Sequence, residues 1–248
     1  MEKKLYVIGI GPGAREQMTI RADQILRECE VIAGYTVYAD LVRGYYPDAE
    51  FVTTPMRQEK ERCRMALEEA AAGRKTALIC SGDSGVYGMA GLILQMASSY
   101  PEVSVEVVPG VTAALAGGAV LGAPLGHDFA VISLSDLLTP MELIEQRLRA
   151  AAQADFVLCL YNPASRKRKD YLGRACRILL EYKPAATVCG MVKQIGREGE
   201  AFEICTLAEL QTKEADMFTT VWIGNRETIR EKNRMITPRG YKGIETNE

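Results

Sequence analysis

The sequence predicts an α/β fold in two domains, and three observations carry that reading. Short apolar runs of four to six residues alternate with helical segments, the pattern of a parallel or mostly parallel sheet covered on both faces. Several of the runs end in glycine-rich turns. The rhythm stops at residues 122–126 and starts again, which divides the 248 residues into domains at 1–122 and 123–248, each large enough for its own core.

Taken in order, residues 5–10 form the first apolar run, followed by the turn Gly11-Pro12-Gly13 and a helical stretch through Cys29. Residues 30–33 read as a second strand. Residues 59–72 have helical periodicity and end at Gly73, a natural C-terminal cap. Residues 76–80 are apolar and run into Ser81-Gly82-Asp83-Ser84-Gly85, after which 86–97 read as a helix. Strand 103–108 and a small-residue helix at 111–120 follow. In the second half, 129–133 and 156–160 read as buried strands around a helix at 140–152. A helix at 165–182 precedes strand-like 186–192. Residues 202–205 and 218–223 suggest a later, partly antiparallel section, and the charged tail from Arg226 has a possible helix.

Composition narrows the functional classes. With 48% hydrophobic and 25% charged residues, the chain reads as globular and not disordered. A net charge of -2 provides no global attraction to nucleic acid or anionic lipid. Seven cysteines without a C-x-x-C pair and one histidine fit a reducing cytoplasm and argue against a structural zinc; no metal is expected. The N-terminus is too short in apolar residues for a signal segment. Residues 107–126 carry no charge, but Pro109, Pro124 and the glycines break them up, so no membrane span is expected.

Gly9-Ile10-Gly11-Pro12-Gly13-Ala14 formally matches a dinucleotide fingerprint. Pro12 removes an N–H from the turn that would face a pyrophosphate, and the second strand runs into Ala33-Gly34-Tyr35 without the ribose-binding acid. A tight turn without a ligand is the competing reading. SGDSGVYG at 81–88 is more informative: it follows a buried strand where open α/β sheets place ligands, its glycines admit close approach, and Asp83 supplies an acceptor. The alternative is a simple helix cap at Asp83 or Ser84. PGVTAA at 109–114 repeats the logic with Thr112, and Tyr161-Asn162-Pro163 marks a third strand end.

GIGPG, SGDSGVYG, PGVTA and YNP, in this order and spacing, resemble the tetrapyrrole methylase family of S-adenosylmethionine-dependent enzymes. MRQEKERC at 56–63, LGAPLGHDFAVISLSDLLTP at 121–140, YNPAS and the terminal PRGY are similar to its precorrin-3B C-17-methyltransferase branch, which includes the cobalt-factor III enzymes of the anaerobic route. The likeness spans nearly the whole chain. It departs where the family often has an acid (Ala14), a proline (Ser84) and a tryptophan (Met141).

The resemblance implies two αβα domains with a cleft between them, binding S-adenosylmethionine folded in that cleft and not along a Rossmann loop. Carried over by position, the cofactor contacts are Pro12, Ser81, Gly82, Asp83, Val86, Thr112, Ala113 and Asn162, with main chain near Gln194 and Thr219 as additions. It further implies methylation at C-17 of precorrin-3B or cobalt-factor III with ring contraction in corrin biosynthesis, and a homodimer. His127 and Asp128 are the candidate acid–base pair, against the reading of an ordinary turn. Arg166 and Arg168 are candidates to meet tetrapyrrole carboxylates, against that of a solvated face. Rival readings are a related methylase acting on RNA or protein, an NAD(P)-dependent oxidoreductase, and a non-catalytic tetrapyrrole carrier.

Overall fold

The computed structural model describes residues 3–165 and 169–242, in two compact units, Met1–Ala113 and Ala114–Glu248. The first contains β1 (Lys4–Gly9), α1 (Ile20–Glu28), β2 (Val31–Tyr35), α2 (Thr36–Val42), β3 (Glu50–Thr54), α3 (Glu59–Ala71), β4 (Thr76–Cys80), α4 (Ala90–Met96) and β5 (Ser104–Val108). Its strands form one five-stranded sheet in the order β3-β2-β4-β1-β5, with every neighbouring pair parallel. Alternate side chains feed two cores. Ile8, Ile32, Ala77 and Ile79 pack with Ala22, Ile25 and Leu26 of α1. Leu5, Val7, Ala33 and Leu78 pack with Cys63, Ala66, Leu67 and Ala70 of α3. Cover on both faces is why β4 is buried at every position and reads as a continuous apolar run.

The second unit takes up α5 (Ala113–Leu121) from Ala114 onward, followed by β6 (Gly122–Ala123), β7 (Phe129–Ser133), α6 (Met141–Gln153), β8 (Val157–Tyr161), α7 (Tyr171–Leu179), β9 (Val188–Lys193), β10 (Ala201–Thr206), α8 (Leu207–Leu210), β11 (Thr219–Ile223), β12 (Ile229–Glu231) and β13 (Arg234–Ile236). Its five-stranded sheet has the order β10-β9-β11-β8-β7. Only β7 and β8 pair in parallel; the other neighbours are antiparallel. This is the partly antiparallel section expected from residues 202–223. Trp222, the only tryptophan, is fully buried, and a Cβ added at Gly117 of α5 would lie 2.3 Å from its ring. α5 thus rests on the indole through a glycine.

Several boundaries differ from expectation for physical reasons. The stretch after Gly13 is no single helix: a 3₁₀ turn at Arg15–Gln17 comes first, and α1 starts only after Thr19, whose hydroxyl caps Ala22 N–H at 3.2 Å. α4 starts at Ala90, not at 86, because Asp83 binds the N–H groups of Gly85 and Val86 and Tyr87 sits at φ 54. α7 starts at Tyr171, not at 165. The tail is a β12–β13 hairpin, not a helix; Asn225 Oδ1 binds Glu227 N–H and Thr228 Oγ1, local bonding that competes with helical turns.

Candidate functional site

Because all five strands of the first sheet run the same way, their carboxyl ends share one edge, where open α/β sheets place ligands. β1 lies between β4 and β5, so the turns at 10–14, 81–89 and 109–112 are neighbours. They join through main chain. Gly11 N–H donates to Gly82 O at 3.0 Å and Gly82 N–H to Gly11 O at 2.7 Å. A Cβ added at Gly9 would lie 2.6 Å from Gly82 O and 2.7 Å from Gly110 N; one added at Gly110 would lie 2.2 Å from Gly82 O. Side chains are excluded from this junction, and Gly82, at φ 69, takes the left-handed conformation open to glycine. The edge is therefore a patch of bare backbone.

Asp83 holds the patch together. Its Oδ1 accepts from Gly85 N–H at 2.8 Å and Val86 N–H at 3.0 Å, and its Oδ2 accepts from Gly110 N–H at 2.9 Å. The carboxylate expected to offer an acceptor to a ligand thus spends three acceptor positions on the loops themselves. Ser84 is fully buried, and its hydroxyl donates to Val108 O at 3.0 Å. Pro12 and Gly82 are buried, Ser81, Thr112 and Ala113 half-buried, and Gly85, Val86 and Tyr87 exposed. Apart from Asn162, which belongs to the second unit, the proposed cofactor residues fall on this one edge. Exposed main chain flanked by small residues fits a ligand that is read largely through backbone N–H and C=O groups.

The second sheet has its own edge of interest. β8 and β9 both pair antiparallel to β11, so their carboxyl ends point the same way, and β7 ends beside β8. Asn162, Gln194, Ser133 and Thr219 accordingly lie along one edge. Asn162 and Gln194 both take positive φ, 54 and 55, uncommon for non-glycine residues. Asn162 Nδ2 donates to Ser133 Oγ at 2.9 Å, and Tyr171 OH donates to Asp136 Oδ2 at 2.6 Å. Ala114 has both main-chain groups held by aromatic side chains: its N–H donates to Tyr161 OH at 2.6 Å, and its carbonyl accepts from Trp222 Nε1 at 3.3 Å. Thr219 Oγ1 donates to Asp216 at 2.8 Å, and Lys193 pairs with Asp216 at 3.0 Å. Partial burial of Asp216 opposes ionisation, but Lys193 and the bonds from Thr219 and Phe218 N–H together hold its pKa below the ordinary value.

His127 and Asp128 precede β7 and so lie at the other edge of that sheet from Asn162. Both are exposed, and the imidazole Nδ1 stands 3.8 Å from the carboxylate, beyond hydrogen-bond length. Arg166 and Arg168 lie outside the described residues. Among the described residues no group of three or more His, Cys, Asp or Glu could hold a metal, and no helix is long and apolar enough to cross a membrane. All seven cysteines are buried and unpaired; burial pushes the thiols of Cys29, Cys63 and Cys176 up to about 12, so they pack as small hydrophobes. Sequence reasoning did not single out Ser133, Asp136 or Arg62, and named Tyr161 only within the strand-end motif Tyr161-Asn162-Pro163. All four stand within quoted blocks, Arg62 in 56–63, but the partners of Ser133, Asp136 and Tyr161 lie 29 to 47 residues away in sequence.

Comparison with known proteins accords with this geometry. A model of the Tetrapyrrole (Corrin/Porphyrin) Methylases matches residues 4–211. A Salmonella typhimurium protein named probable cobalt-factor III C(17)-methyltransferase is 48% identical, over 96% of this chain and 99% of its own. The precorrin-3B C(17)-methyltransferase of Sinorhizobium sp is 40% identical, over 98% and 99%. The crystal structure of the methyltransferase CobJ superposes with a TM-score of 0.87 at 35% identity, covering 94% of this chain and 99% of that one. A match over this much of the sequence settles the lineage: the chain belongs to the tetrapyrrole (corrin/porphyrin) methylase family.

Proposed function

We propose that this protein methylates C-17 of cobalt-factor III or precorrin-3B, using S-adenosylmethionine, and promotes contraction of the macrocycle in corrin-ring biosynthesis. The observation that carries the reading is the main-chain junction of Gly9, Gly82 and Gly110 at the carboxyl ends of β1, β4 and β5, in a chain alike, over almost its full length, to proteins named C(17)-methyltransferases. S-adenosylmethionine supplies a methyl group already activated on a positively charged sulfur. The protein's part is alignment: placing an electron-rich ring carbon about 3 Å from that methyl and excluding water. Backbone groups of Ser81, Gly82, Val86, Thr112 and Ala113 would hold the donor beside Pro12, and Asp83 would keep the 81–86 loop in shape. No catalytic triad is required. A nicotinamide cofactor is disfavoured because β2 ends in Gly34-Tyr35 without the acid that holds a ribose.

A thermal-shift comparison tests the cofactor reading, since a ligand that binds only the native state raises its melting point. S-adenosylhomocysteine should raise the midpoint, and NAD and NADP should leave it unchanged; the reverse pattern would sink the reading. We assign proton transfer in the contraction step to His127 on the resemblance of its 121–140 block to the C-17 branch; its exposed imidazole stands at the other edge of the second sheet from Asn162. A positioned acid or base contributes about 10²- to 10⁴-fold, whereas methylation rests mainly on alignment. His127→Ala should therefore keep methyl transfer and accumulate a methylated, uncontracted product by mass spectrometry. Contraction at the wild-type rate would make His127 and Asp128 a turn before β7 and nothing more.

A further inference from the structure

Arg62, on α3, is 4% exposed, and its described hydrogen bonds include none to a carboxylate. Nη2 donates to Pro55 O at 3.0 Å and, at the outer limit, to Thr54 O at 3.5 Å. Nη1 donates to Met89 Sδ at 3.4 Å. The guanidinium carbon stands 5.8 Å from the Tyr35 ring centroid. Its Nε is buried with no hydrogen-bond partner among the described residues, and so is the hydroxyl of neighbouring Thr54. Burial lowers the Arg62 pKa, and the Glu59 carboxylate is the largest influence opposing that shift. A buried cation placed in this way carries a desolvation cost that no hydrogen-bonded carboxylate among the described residues offsets. Stability alone therefore does not account for an arginine at this position.

The guanidinium joins three segments at the carboxyl edge of the first sheet: the end of β3, the end of β2 and the loop after β4. Met89 is the last residue of that loop. Its N–H donates to Cys80 Sγ at 3.4 Å, its thioether accepts from Arg62, and Ala90 N–H closes the loop on Ser84 O at 3.0 Å. An apolar residue could fill the space but could not donate to the carbonyls of Thr54 and Pro55 and to the Met89 thioether. We propose that Arg62 is a positioning residue that sets the 81–89 loop for the methyl donor. The inference rests on the assignment of 81–86 to S-adenosylmethionine.

Arg62→Met and Arg62→Lys test it in the full-length enzyme. Arg62→Met should melt at or above the wild-type temperature. It should raise KM for S-adenosylmethionine about tenfold, the equivalent of one good hydrogen-bonded contact, and change kcat less than about twofold. Arg62→Lys keeps the charge and part of the bonding, and should recover part of the KM. Amide hydrogen exchange at residues 84–89 of the ligand-free protein should be faster in Arg62→Met. A lowered melting point with wild-type KM and wild-type exchange would make Arg62 a packing residue and overturn the proposal. If Arg62→Met does not fold, Arg62→Lys and Arg62→Gln carry the same comparison of KM and exchange. If the wild-type enzyme neither binds S-adenosylhomocysteine nor turns over, the proposed function falls, while exchange at 84–89 still decides whether Arg62 orders the loop.

Discussion

The Asp83 carboxylate accepts main-chain N–H groups from Gly85, Val86 and Gly110 and so ties the turn after β4 to the turn after β5. Asp83→Asn leaves the shape almost unchanged but turns one acceptor into a donor facing N–H groups that bond to Asp83. Leaving such a donor unmet costs about 1–3 kcal/mol. The unfolding free energy should fall by that amount, seen as a lower denaturant midpoint at constant m-value, and S-adenosylhomocysteine should bind more weakly in calorimetry. Wild-type stability together with wild-type affinity would show that the three bonds do not shape the loop. Part of this was legible in the sequence. A glycine-rich loop with one acid after a buried strand marked the site, but Gly110, the partner that turns Asp83 into a tie, lies 27 residues on, and no local pattern links the two. Arg62 was hidden for the same reason: on α3 it reads as one more charge among Glu59, Lys60, Glu61 and Arg64.

Among the elements, those buried on two faces were legible. β1, β4 and β8 are short apolar runs bounded by turns, and α3 and α6 carry clear periodicity. β3 and α2 were not. β3 is the edge strand Glu50–Thr54 and is only partly buried, so its sequence EFVTT lacks a continuous apolar run. α2, TVYADLV, opens directly on Tyr35 without a side-chain cap, and its β-branched and aromatic residues blur the helical signal. The tail misled in the opposite way. REKN-type composition favours a helix, but Lys232 at φ 52 makes the turn of a hairpin, and β13 pairs with β6, a contact across more than 100 residues. Pairing that distant overrides local propensity.

For the molecule as a whole, the sequence conveyed an α/β chain with glycine-rich loops at strand ends. It conveyed less of how the second sheet runs, because β9, β10 and β11 are antiparallel and antiparallel and parallel strands share the same apolar signature once both faces are covered. The all-parallel first sheet gathers three loops on one edge; the mixed second sheet gathers Ser133, Asn162, Gln194 and Thr219 on one of its own. Both arrangements offer backbone and small polar groups, which suits a reaction whose reactivity resides in donor and substrate. The most direct measurement is incubation with S-adenosylmethionine carrying a ¹³C-labelled methyl group and either cobalt-factor III or precorrin-3B, followed by NMR of the isolated product. The expected result is one new labelled methyl per macrocycle, bonded to C-17. A label at any other ring carbon, or no label transferred to either substrate, would contradict the proposed function.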